Sequence, residues 1–166
     1  MEINWLIVAS AALIPLIVGF IWYHPAVFGK AWMKAAGVPE DAAKGANMAL
    51  IFGLTILFGL MATIPLMSLS IHQMGFMSIF ADEPSVKDAA SPIGKYFNDF
   101  FAQYGHKFRT FKHGMLHGVL AGLFLGVPIM GTNALFERKG FKYIAINAGY
   151  WMLTLGLMAG VICGFA

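Results

Sequence analysis

The stretch "HGMLHGVLAGLFLGVP", residues 113–128, has a glycine at every fourth position. A helix turns by about 100° per residue, so residues four apart drift by only about 40° around its axis. The repeat therefore predicts a helix with a slowly winding groove of bare backbone on one face. Such grooves let helices approach closely, above all in lipid, where apolar surface gives no drive for association. The glycines are Gly114, Gly118, Gly122 and Gly126.

The composition indicates that most of the surface faces lipid. Of the 166 residues, 59% are hydrophobic and 11% are charged, whereas soluble domains carry about 25% charged residues. The formal net charge of +3 is small and dispersed, so we expect no nucleic-acid partner. Cys163 is the single cysteine, which excludes an internal disulfide and a cysteine-based metal cage.

Four apolar runs are each close to the length of about 20 helical residues that a membrane crossing needs. They lie at residues 4–23, 47–69, 113–135 and 141–165. Because backbone in hydrocarbon must satisfy its own hydrogen bonds, each run is predicted to be helical. The fold class is therefore an all-α polytopic protein, one membrane domain over residues 1–166 with four transmembrane helices.

The long second connection contains a further helical pattern. Aromatic residues recur at steps of three, four and one between residues 93 and 111, and Ser91 before Pro92 is a suitable N-cap. We predict an amphipathic interfacial helix over residues 92–111.

A second glycine set lies on the fourth run, which a short connection joins to the third. These two helices are therefore expected to be antiparallel neighbours whose grooves approach each other or the first span. Asn147, Tyr150 and Thr154 share the opposite face, and a carboxamide in hydrocarbon needs a partner, so this face is also expected to be buried in protein. The glycines of this set are Gly149, Gly156, Gly160 and Gly164.

Three histidines align if the helix at Ile93 runs unbroken into the third span. His106, His113 and His117 then form an H-x6-H-x3-H set, which could hold Zn²⁺ or, through one histidine, haem. No carboxylate sits next to the pair, and histidine is common at a membrane boundary. We therefore predict interfacial histidines and no metal or cofactor, with this set kept as the candidate if one binds.

Catalytic groups are scarce. Every acidic residue lies outside the four predicted spans, so no pair of carboxylates is available within the membrane. Ion-coupled transporters and proton relays usually place ionisable groups there. We expect neither an enzyme nor an active transporter.

The segment "IWYHPAVFGKAWMKAAGVPEDAAK", residues 21–44, carries a distinctive pattern of aromatic, proline and glycine residues. It resembles the domain-of-unknown-function 1761 family of small bacterial integral membrane proteins, as do "LHGVLAGLFLG" and "IAINAGYW" near the other end. The resemblance implies the architecture and a bacterial inner membrane, and it supplies no catalytic residues. Aromatic residues of such a motif anchor at the interface and a lysine can reach lipid phosphates. The matching residues are Trp22, Tyr23, Pro25, Phe28, Gly29, Lys30, Trp32, Gly37, Glu40 and Asp41.

The sequence contains more features suited to helix packing, such as the glycine-rich faces, than reactive side chains. The predicted function is therefore that of an interaction or accessory subunit. Its partners would be membrane lipid and another membrane protein or a second copy, reached through the glycine-rich faces. One alternative is a small-molecule or lipid transport pathway lined by Asn147, Tyr150, Thr154 and Asn133. The other is a redox membrane protein that uses the three histidines.

Overall fold

The structure is a computed structural model and describes residues 2–39, 41–42 and 44–166. Throughout these ranges the regular structure is helical, and no strand is present. The α-helices are α1 (Trp5–Ala11), α2 (Ile14–Trp22), α3 (Gly29–Ala36), α4 (Met48–Ser70), α5 (His72–Ile79), α6 (Pro92–Tyr104), α7 (Phe111–Ala121), α8 (Val127–Phe136) and α9 (Phe141–Phe165).

Within the described residues, four helical stretches are long and apolar enough to cross a membrane. The prediction of an all-α polytopic fold is therefore confirmed. They are span one (Trp5–Trp22), span two (Met48–Ser70), span three (Phe111–Phe136) and span four (Phe141–Phe165).

Span four is the central helix. In the most apolar stretch of span four, half of the residues are buried inside the protein, against 11% in span three. Span four also contacts each of the other spans. The main cluster of buried residues joins spans one, two and four near the chain termini, with Ile71, Met158 and Ile162 fully buried. The faces that remain exposed on the outer helices are apolar, as lipid requires.

Span one is interrupted between α1 and α2. Pro15 lies in the first turn of α2, where its missing N–H costs no hydrogen bond. At the start of α1 the Asn4 side chain accepts hydrogen bonds from the amides of Leu6 and Ile7, which satisfies two orphan donors.

Span three changes geometry halfway. A π-helical turn over Gly122–Gly126 separates α7 from α8, and Val127 N–H donates to Gly122 O. Pro128 follows at once; it has no N–H, and its ring conflicts with the carbonyl four residues earlier. The wide turn adds a residue to the helix and so rotates the following face by about 100°.

The second connection differs from its prediction in two ways. It begins with a helix, α5, that was not predicted. The helix α6 starts at Pro92 as expected, but it ends at Tyr104 instead of residue 111. Gly105 still has helical dihedrals (φ −59°), and the chain then leaves the helical path before Phe108, which takes a left-handed φ of 64°. Thr110 then caps α7, its Oγ1 accepting from His113 N at 3.2 Å.

The aromatic face of α6 packs on α5. The rings of Phe76 and Phe100 stack with centroids 3.8 Å apart, and Phe76 and Phe97 stack at 5.8 Å. The second connection is thus an aromatic helix pair that lies beside the ends of spans two and three.

Candidate functional site

At the seam between α7 and α9 the backbones of two helices come into direct contact. A Cβ added at Gly118 would collide with the carbonyl of Leu155 and lie 2.7 Å from Gly156 Cα. A Cβ at Gly122 would lie 2.7 Å from Met152 Cα. Gly114 stands equally close to the carbonyl of Ala159, so the first three glycines of the repeat let the two backbones touch.

The glycines of α9 divide between two neighbours. Gly156, Gly160 and Gly164 face α7, where added Cβ atoms would come within 2.8–2.9 Å of Val119 or Phe111. Gly149 faces Trp22 of span one instead, at 2.9 Å. These glycines therefore serve contacts within the chain.

The fourth glycine of the repeat in span three behaves differently. A Cβ at Gly126 would meet only Met130 Cε of its own helix, at 3.9 Å. Because the π turn rotates the later part of the span, this glycine no longer faces α9.

Asn147 lies at the centre of a hydrogen-bond network at the start of α9. Its Oδ1 accepts from the Tyr23 hydroxyl at 2.8 Å and from Trp32 Nε1 at 3.2 Å, while its Nδ2 donates to Tyr143 O at 2.8 Å. Burial raises the pKa of the Tyr23 hydroxyl, a group that is protonated at neutral pH even when exposed. The network ties span one and α3 to span four.

Tyr150 and Thr154 continue the same face of α9 into the core. The Tyr150 hydroxyl donates to Pro15 O at 2.8 Å, and Thr154 is fully buried, with no partner for its Oγ1 among the described residues. A cavity of about 460 Å³ between spans one and two includes Tyr150 in its lining but neither Asn147 nor Thr154. Tyr150 is therefore the member of this polar face that reaches the cavity.

Three histidines meet at the opposite end of the bundle. His72 is the first residue of α5, and His113 and His117 lie one turn apart on α7. One ring nitrogen from each histidine lies within 4.8 Å of the others, and the Nε2 atoms of His72 and His113 are 3.0 Å apart. His72 is exposed and the other two are half-buried.

The surrounding residues position these rings. Phe108 stacks on His113, with centroids 5.1 Å apart and planes 21° from parallel. The buried Gln73 donates from Nε2 to the carbonyls of Tyr104 and Lys107, at 3.0 and 2.8 Å. Gln73 thus holds the turn that carries Phe108 against His113.

His106 does not join this cluster. It lies in the turn after α6 and borders a separate cavity of about 390 Å³, together with Glu2, Arg109 and Ala166. The aligned stripe of His106, His113 and His117 required a continuous helix, and the break after Tyr104 removes that condition. In its place His72 completes the set, a residue that sequence reasoning missed because it lies 41 positions from His113.

The family comparison covers nearly the whole chain. The model of the family described as "Protein of unknown function (DUF1761)" matches residues 6–163. The chain belongs to this family. The predicted resemblance is confirmed, and the match extends through the long second connection. No curated protein and no solved structure matches the chain.

The motif that carried the resemblance has a packing role in this DUF1761 chain. Phe28 packs on Trp22, with ring centroids 4.6 Å apart, and a Cβ at Gly29 would collide with the carbonyl of Tyr23. Together with Pro25 they fold the chain back so that Trp32 reaches Asn147. Lys30 is exposed on α3, and Glu40 lies outside the described residues.

Proposed function

We propose that this DUF1761 protein is a self-associating subunit of a bacterial inner membrane, with an accessory role and no catalytic one. The contact surface is the outer face of the second half of span three. A second copy of the chain is the proposed partner, and another membrane protein is the alternative that the experiment below would reveal.

The side chain of Asn133 carries this proposal. Asn133 is exposed on α8, beside the equally exposed Thr132, and in the described part of the chain its carboxamide forms no hydrogen bond. An unpaired amide is costly in an apolar medium. In membrane helices such groups bond across to a neighbouring helix.

The surface around Asn133 can admit another helix. A Cβ at Gly126 would meet nothing closer than Met130 Cε of its own helix, at 3.9 Å, so the backbone there is open to approach. Gly126 and Met130 border an apolar groove of about 410 Å³, together with Leu66 of α4 and Trp151 of α9. Small residues next to a polar one are typical of helix interfaces in membranes.

A second copy fits this surface because a carboxamide both donates and accepts hydrogen bonds. In a twofold dimer the same patch faces itself, so Asn133 of one copy can pair with Asn133 of the other. Neither copy then leaves a polar group in lipid.

The transport alternative has less support. Asn147 and Tyr150 are engaged in hydrogen bonds within the bundle, and Asn133 lies on a different helix, exposed at its outer face. Asn147 and Tyr150 would have to break these hydrogen bonds to line a path.

Cysteine cross-linking in lipid tests the subunit proposal. Cys163 is buried, so the native chain serves as the blank. The variant Ile129→Cys, at an exposed position one turn before Asn133, leaves the carboxamide in place and should form a disulfide-linked dimer on mild oxidation in nanodiscs or native vesicles. Leu50→Cys, an exposed position near the corresponding end of span two, should remain monomeric.

Native mass spectrometry from lipid particles provides an independent measurement. Two or more copies per particle, reduced to one by Asn133→Leu, support the proposal. A single copy together with no cross-link at position 129 overturns it, and a constant heterologous partner cross-linked at that position would show that the second copy is the wrong occupant.

A further inference from the structure

The three-histidine cluster is built from two parts of the chain that are distant in sequence. His72 follows Ile71, where the backbone breaks between α4 and α5. His113 and His117 project from one face of α7. Their ring centroids form a compact triangle with sides of 4.9, 4.9 and 4.6 Å.

We propose that His72, His113 and His117 bind a divalent transition-metal ion of the Zn²⁺ class through one imidazole nitrogen each. Nitrogen ligands 2.0–2.1 Å from a tetrahedral Zn²⁺ are separated by about 3.3 Å. The His72 and His113 Nε2 atoms, at a hydrogen-bond distance of 3.0 Å, are close to this spacing and would have to separate only slightly to bind the ion. The third nitrogen lies within 4.8 Å, so a small rotation of the ring completes the set.

The donor atoms select the kind of ion. The cluster contains imidazoles alone, and no carboxylate joins it among the described residues. Neutral imidazole suits Zn²⁺, Cu²⁺, Ni²⁺ and Co²⁺, whereas Mg²⁺ and Ca²⁺ require oxygen ligands. Three histidines leave a fourth tetrahedral position, which water can occupy because His72 is exposed.

The site is held in position by neighbours that do not bind the ion. Stacked Phe108 limits rotation of the His113 ring. The Thr110 cap fixes the first turn of α7, and Gln73 anchors the residue beside His72 to the turn before that helix. A bound ion would therefore link the start of α5 to α7 and hold the aromatic pair α5–α6 against span three.

Metal titration of the full chain in nanodiscs tests this proposal, with a tag that contains no histidine. After stripping with a chelator, Zn²⁺ should bind in a one-to-one ratio by calorimetry. Co²⁺ should give the visible absorption of a tetrahedral nitrogen site and be displaced by Zn²⁺. Alanine at position 72, 113 or 117 should weaken binding by roughly 100-fold or more, since even loss of an outer partner costs 10- to 100-fold.

His106→Ala is the matched control, because His106 is an exposed histidine of the same connection. Its affinity should equal that of the native chain, and circular dichroism should show the native helix content in each variant. X-ray absorption of the Zn²⁺-loaded native chain, which requires no variant, should show three histidine ligands. Absence of one-to-one binding, or an equal loss in His106→Ala, overturns the proposal, and neither result bears on self-association through Asn133.

Discussion

The two halves of span three carry the same glycine spacing and use it differently. In α7, Gly114 and Gly118 leave no room for a Cβ against α9. In the second half, Gly126 meets only its own helix, and Phe136 is 87% exposed. A repeat of small residues therefore identifies a packing face only while the helix keeps an α-helical turn, and one π turn is enough to redirect it.

The test with the largest expected effect replaces one glycine by alanine in each half of span three. Gly118→Ala forces a Cβ into the backbone of α9, where neither helix can yield locally, and should lower the free energy of unfolding by about 3 kcal/mol. Gly126→Ala places its Cβ in ordinary contact and should leave stability unchanged or raise it by up to about 1 kcal/mol. Equilibrium unfolding in mixed micelles measures both values. Equal losses would mean that the halves do not differ in packing.

The second test uses metal to strengthen the first half alone. If the histidine site binds Zn²⁺, an ion concentration 100-fold above the dissociation constant stabilises the folded chain by about 2.7 kcal/mol. The unfolding temperature should therefore rise with Zn²⁺ but not with the same concentration of Mg²⁺. The rise should vanish in His117→Ala and persist in His106→Ala. An equal rise with Mg²⁺ would indicate a nonspecific effect of charge.

Sequence patterns predicted the parts of the molecule that depend on local chemistry. Hydrophobic length located the four spans, and Ser91–Pro92 located the start of α6. The glycine period indicated a groove on span three. The spacing of the glycines does not reveal the π turn that precedes Pro128 and rotates the second half of span three.

The histidine site shows the other limit of sequence reasoning. His113 and His117 are one turn apart, so their pairing follows from helical spacing. Their third partner, His72, depends on where spans two and three end relative to each other and on a left-handed Phe108, neither of which a local pattern contains. The same holds for Asn147, whose need of a partner was predictable, whereas its partners Tyr23 and Trp32 were not identified.

The test with the smallest expected effect concerns the end of α9 opposite the histidine site. There span one and α3 supply the hydrogen-bond donors to Asn147. Asn147→Leu leaves the Tyr23 hydroxyl and the Trp32 indole N–H without their acceptor, which should cost about 2 kcal/mol of unfolding free energy. Tyr23→Phe removes one donor and keeps the other bond, so its cost should be about 1 kcal/mol.

A double-mutant cycle separates this network from general packing. Once Asn147 is leucine, the Tyr23 hydroxyl has lost its acceptor, so removing that hydroxyl as well should cost nothing further or restore stability. Unfolding of the two single variants and the double variant in the same micelles measures the coupling. Strictly additive losses would show that Asn147 supports α9 through its volume, and the hydrogen bonds to span one would then not be what holds this end of α9.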